Sequence, residues 1–238
     1  MNRERIRALW PRLLFLCLVL GSVALSVLFL MQGLRAVESA AAPAPAVLVI
    51  DPGHGGIDGG AVSDDGSKES DINLAIALRL RAVAEFLGVQ TVMTRSDDSI
   101  RESCAEYSER RDLLRRIEVA NSTPGAVLIS IHQNDFPTSQ PSGSQVLYAA
   151  TDGSKVLGEL CHRALIAHLN PENRRVAEPA PKWLLLTSQA QCPAILVECG
   201  FMSNNFDVQK LCNESYQRAI ALILAASFMQ YINGEESI

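Results

Sequence analysis

One stretch constrains this chain more than any other: VLVIDPGHGGIDGG, Val47 to Gly60. Its apolar half is β-branched and continuous rather than alternating, the pattern of a strand covered on both faces of a parallel or mixed sheet. Asp51 and Pro52 end the strand, and the glycines that follow let the backbone pass close to whatever His54 holds. In open α/β sheets a site sits at the carboxyl ends of the strands, so His54 marks a candidate edge. The turn lacks the frame of a dinucleotide loop and the lysine of a phosphate loop. A solvated turn histidine without a role remains the plain alternative at this point.

Further along, Glu69 to Leu87 carries Ile72, Ile76, Leu80 and Val83 at helical spacing, closed by Gly88. Val89 to Thr94 reads as a second strand and Tyr107 to Asn121 as a charged helix. Gly125 to His132 reads as a third strand, buried like the first. A strand over Ser144 to Ala150 and a helix over Ser154 to Leu169 follow. Short strands are expected over Trp183 to Thr187 and over Ala194 to Val197, and one long helix over roughly Phe206 to Ile232. Strands alternating with helices predict a single three-layer α/β domain, residues 46–233, with a mostly parallel or mixed central sheet flanked by helices and a polar tail over 234–238.

The amino-terminal part differs in kind. Arginines crowd residues 1–12, and residues 13–31 carry no charge, a length that spans a bilayer core as a helix. Its apolar side chains sum to about -4 to -8 kcal/mol for insertion. The charge asymmetry places the amino terminus in the cytoplasm and the remainder outside. The expected location is therefore the cell membrane, single-pass, with the domain on the extracytoplasmic side and 32–45 as an Ala/Pro linker. A cleaved signal peptide, which would release the domain, is the rival reading. A net charge of -5 offers no basic footprint for nucleic acid. Beyond Cys17 the chain has an odd number of cysteines and no C-x-x-C pair, so at least one stays unpaired, and small buried apolar residues are the default reading.

Three apolar strands thus deliver a polar residue to one edge: His54, His132 and Glu198, with Glu69 returning at the start of the first helix. Two imidazoles and a carboxylate are the ligand set of a catalytic zinc with an open fourth position, and a further carboxylate can move a proton. DPGHGG with His54, KES with Glu69, SIHQN with His132 and VECGFMSN with Glu198 resemble, in order, the four blocks of the zinc-dependent N-acetylmuramoyl-L-alanine amidases, which cut the amide between muramic acid and the peptide stem of peptidoglycan. SIHQND, LNPENRR and CPAILVECGF behind an amino-terminal hydrophobic segment are similar to the germination-specific branch acting on spore cortex. The resemblance implies one Zn2+ held by His54, Glu69 and His132, with Glu198 as the catalytic carboxylate. It also implies the glycan strand with its stem as substrate, and an accessory protein is a candidate further partner.

Gln133 and Asn134 beside His132, and Arg110 on the charged helix, are candidates for substrate contacts. For Arg110, Arg111, Arg115 and Arg116 the plainer reading is a solvated helix face with ion pairs to Glu106, Glu109 and Asp112. Cys199 alternates with Glu198 and should point into the covering layer. His162 and His168 lie about 120° apart on their helix and read as surface or partly buried residues. Relatives often carry Gly-x-Glu-x-Tyr where this chain has GSQVLY, with Gln145. Two other readings compete: a zinc peptidase or deacetylase acting on another amide, and a catalytically silent protein that binds cell wall.

Overall fold

The computed structural model describes residues 20–22, 25–26, 45–98 and 107–234. The chain separates into two compact units, Met1–Pro43 and Ala44–Ile238. In the first, the few described positions are helical. The anchor expected over 13–31 otherwise lies outside the described residues, as do Glu106, most of the linker and the tail. Among the described residues no helix is long and apolar enough to cross a membrane.

The second unit is built on a six-stranded sheet in the order β2-β1-β3-β6-β4-β5. These strands are β1 (Val47–Pro52), β2 (Gln90–Met93), β3 (Ala126–Asn134), β4 (Gln145–Tyr148), β5 (Glu178–Pro179) and β6 (Ala194–Phe201). The first three and β6 run parallel, β4 pairs antiparallel with β6, and β5 pairs parallel with β4. The helices are α1 (Glu69–Phe86), α2 (Glu109–Ser122), α3 (Ser154–Leu169), α4 (Leu185–Gln189), α5 (Asn205–Leu211) and α6 (Glu214–Ile232).

Strand alternation divides the core between two faces. Leu48, Ile50, Val127, Ile129 and Ile131 join α1, α3 and α6 in the larger cluster, around Leu80, Leu157 and Phe228. Val49 and Leu128 face the other way and pack with Ile117 and Ala120 of α2 and Leu186 of α4. The sheet is thus buried on both sides, as its continuous apolar strands require.

Two expectations fail for identifiable local reasons. Trp183 to Thr187 is not a strand: Leu185–Gln189 forms a short helix, and Trp183 is 80% exposed. Because β5 runs with β4, against β6, Trp183 also lies toward the edge opposite the strand ends that carry His132 and Glu198. The expected single carboxyl-terminal helix is broken before Asn213. The Asn213 side chain accepts hydrogen bonds from the amides of Ser215 at 2.8 Å and Tyr216 at 3.2 Å, starting a new helix.

Candidate metal centre

The carboxyl edge of the parallel strands assembles three elements around one point. β1 leads into the turn that holds His54, β3 carries His132 near its end, and Glu69 is the first residue of α1. Its position in the first turn puts a negative side chain at the positive end of the helix dipole. His54 is the one non-glycine residue with positive φ among those described, at 58°.

Nε2 of His54 lies 3.3 Å from Glu69 Oε2, and Nδ1 of His132 lies 3.1 Å from Glu69 Oε1. The rings meet edge to face with centroids 5.0 Å apart. One ligand atom from each of His54, Glu69 and His132 falls within 4.8 Å of the others, a group able to hold a metal ion. The donor set fits zinc, which takes imidazole nitrogen and carboxylate oxygen. Glycine is required where a side chain would collide: a Cβ at Gly60 would stand 2.6 Å from Glu69 Oε2, and one at Gly53 only 2.3 Å from the His132 ring.

Glu69 is fastened from behind. The amides of Ala61 and Gln133 each donate to it at 3.0 Å, and Asn73 donates from the next turn of α1 at 3.2 Å. Burial works against its charge, but hydrogen bonds from the two imidazoles prevail and hold its carboxyl well below the usual range. For His54, burial disfavours the charge and hydrogen bonds to Asp58 and Glu69 outweigh it, pushing its pKa to about 10 in the absence of a cation.

Glu198 stands directly across the register from His132 on neighbouring parallel strands. It is half-buried, and its Oε2 is shielded from solvent with no hydrogen-bond partner. Burial raises its pKa to about 7, with the Glu69 charge adding to the rise and the two imidazoles opposing it. Cys199 faces the larger core, as alternation predicts.

Other expectations resolve differently. Gln133 is 3% exposed and its amide donates to Asn73 Oδ1 at 3.0 Å, so it braces Glu69 rather than reaching outward. Asn134 is half-buried at the rim. Arg110 is exposed on the first turn of α2, and no hydrogen bond or ion pair links it to the site among the described residues. The solvated-face reading holds for Arg115, which pairs with Asp112, but not for Arg116.

Arg116 is 6% exposed. It donates to the carbonyls of His54 at 2.7 Å and Pro52 at 3.2 Å, and pairs with Asp112 at 2.6 Å and Asp51 at 3.6 Å. Arg95 grips the same turn from the other side, donating to the carbonyls of Pro52 and Gly53, both at 3.0 Å. Two guanidinium groups thus hold the turn in the shape that aims His54. The signal was present: Asp112, Arg116, Ile117 and Ala120 share the inward face of α2.

Asp58 also escaped the sequence reading. It lies 2.8 Å from His54 Nδ1 and accepts from the Tyr107 hydroxyl at 3.1 Å, orienting the ring so that Nε2 faces Glu69. The other surprise is His162, which is 2% exposed rather than near the surface, and burial lowers its pKa. The described cysteines, Cys161, Cys192, Cys199 and Cys212, are free thiols.

The family model described as N-acetylmuramoyl-L-alanine amidase matches residues 48–228. A germination-specific N-acetylmuramoyl-L-alanine amidase of Bacillus subtilis is 31% identical over 198 residues, which is 78% of this chain and 79% of that one. Among solved structures, the CwlD amidase of Clostridioides difficile, determined in complex with the GerS lipoprotein, superposes with a TM-score of 0.75 at 32% identity, covering 80% of this chain and 100% of that one. An N-acetylmuramoyl-L-alanine amidase from Clostridium difficile 630 gives 0.69 at 30% identity, over 81% of this chain and 99% of that one.

Proposed function

This chain belongs to the N-acetylmuramoyl-L-alanine amidase family, and from that premise we propose that it is a zinc amidase that hydrolyses the bond between N-acetylmuramic acid and the L-alanine of the peptide stem, in spore cortex. One observation carries the reading. His54, Glu69 and His132 converge on one point, and an unpartnered carboxylate oxygen of Glu198 stands across the strand register from His132.

The residues divide the work. His54, Glu69 and His132 would hold the ion, with Asp58, Gln133 and Asn73 fixing ring and carboxylate orientation. Bound there, zinc supplies a Lewis acid that acidifies water and polarises a carbonyl oxygen. Glu198 takes the proton from the attacking water and returns it to the departing amine. A carboxyl group raised toward neutrality by burial serves both directions. In this reading Asn134, half-buried beside His132, contacts the substrate amide.

The germination-specific relative supports the cortex assignment. The apolar run over 13–31 supports a membrane-anchored domain on the extracytoplasmic side, and the CwlD complex with GerS supports an accessory lipoprotein. The test pairs metal with activity: purify the domain, count zinc by elemental analysis, and follow stem-peptide release from purified peptidoglycan for the wild type and Glu198→Gln. Zinc in both with release in the wild type alone is the expected result. Zinc-loaded wild type that releases no stem, with or without an accessory lipoprotein, would refute the proposal.

A further inference from the structure

The edge that carries the metal centre continues past Glu198 into a second concavity. Gln145 is the register partner of Glu198, and β4 starts there, so the loop before it stands above the same edge. That loop, the segment after α3 and one face of α5 enclose about 660 Å³. The walls are built rather than incidental. Asp207 accepts from the amides of Gly143 at 2.7 Å and Phe201 at 3.1 Å, and Asn173 donates to the Ser144 carbonyl at 2.7 Å.

The lining is cationic. Arg175 is set in the wall, donating to the Ser142 carbonyl at 2.6 Å and stacking over Phe201 at 5.0 Å. Arg174, on the segment after α3 and donating to the Pro171 carbonyl at 2.8 Å, and Lys210, on α5, complete the cationic lining. Against these three cations stand the buried Asp207, its charge already engaged by backbone amides, and Glu172, 95% exposed and 3.7 Å from Arg174. The pocket therefore offers more positive charge than it neutralises, in a chain whose net charge is -5.

Position selects the ligand. Two strand spacings separate His132 from Gln145, and Gly143 lies two residues beyond, which together put the pocket about 12 Å from the metal ligands. An extended peptide covers that distance in about three to four residues. Building on the amidase reading, we propose that this pocket is a stem-peptide subsite that binds a free carboxylate of the third or fourth stem residue while the scissile amide lies at the metal centre. A stem peptide supplies such a group wherever an acidic side chain or a free carboxyl terminus falls about three to four residues from the scissile amide. Arg174 and Lys210 determine specificity here, and Arg175 shapes the wall.

The experiment compares synthetic muramoyl peptides whose stem carboxylates are free or amidated, using zinc-loaded enzyme. The wild type should favour the free acid by about tenfold in kcat/KM, the worth of one charge-assisted contact. In the Arg174→Gln/Lys210→Gln double variant that ratio should fall to about twofold or less. Lys210→Glu should reverse it and Lys210→Arg should keep it. These side chains are exposed, so the ratio reads charge rather than folding. A wild type without preference, or a double variant that keeps it, overturns the subsite while leaving the amidase reading intact. Absence of turnover on both substrates would overturn the two together.

Discussion

Replacing Gly53 by alanine tests how tightly the edge is built. Gly53 is outside the left-handed region, so a methyl group there meets no backbone penalty and its effect is purely steric. Its Cβ would lie 2.3 Å from Cε1 and 2.4 Å from Nε2 of His132. Ordinary carbon contacts begin near 3.5 Å, so the ring must move by about 1 Å. The backbone of Gly53 cannot yield easily, because its amide donates to Ile131 at 2.9 Å and its carbonyl accepts from Arg95 at 3.0 Å and Asn73 at 3.2 Å. His132 must therefore leave its alignment with Glu69. Zinc affinity should fall by about 10–100-fold, the usual consequence of a misoriented ligand. Turnover should fall by about 100-fold at saturating zinc, since a displacement of about 1 Å costs that much in a preorganised site. Competition with a chromogenic chelator measures the first and stem release the second, with unfolding in EDTA as the control for an overpacking cost of about 1–3 kcal/mol. Zinc affinity and turnover both within about threefold of wild type would refute the steric argument.

Other outcomes follow from the same geometry. Glu198→Gln should retain zinc and lose about 10²–10⁴-fold in kcat, read by metal analysis beside stem release. Arg116→Met strands Asp51 and Asp112 without their buried cation and should cost about 3–5 kcal/mol in urea unfolding, with weaker zinc binding because the His54 turn loosens. His162 is held neutral by burial, so below its unfolded pKa of about 6.5 the unfolded chain binds the extra proton. Stability is then complete above that pH and declines as pH falls below it. His162→Gln should flatten the decline below about pH 6.5 in denaturant titrations, and an unchanged slope would rule this out. Zinc at 100 times its dissociation constant should raise stability by about 2.7 kcal/mol, and EDTA should abolish the gain.

What the linear order carried was periodicity and punctuation. The continuous apolar run of Val47 to Ile50 announced a strand covered on both sides, and the polar residues at strand ends announced the edge where His54, His132 and Glu198 meet. Those signals are local, so they survive without knowledge of partners. What escaped depends on which chain segments face each other. Arg116 reads as one more charge on an arginine-rich helix until α2 packs on the sheet and places its guanidinium under the His54 turn. Gln133 sits beside His132 in sequence, yet strand alternation and α1 turn it inward to Asn73. Asn213 starts a new helix because its side chain competes for the backbone amides that a continuous helix would use. The residue types and their order thus determined which donor groups can gather for a metal ion and the edge they occupy. Only tertiary packing decided which charges are buried beneath that edge and which remain free above it, since burial is a property of neighbours distant along the chain.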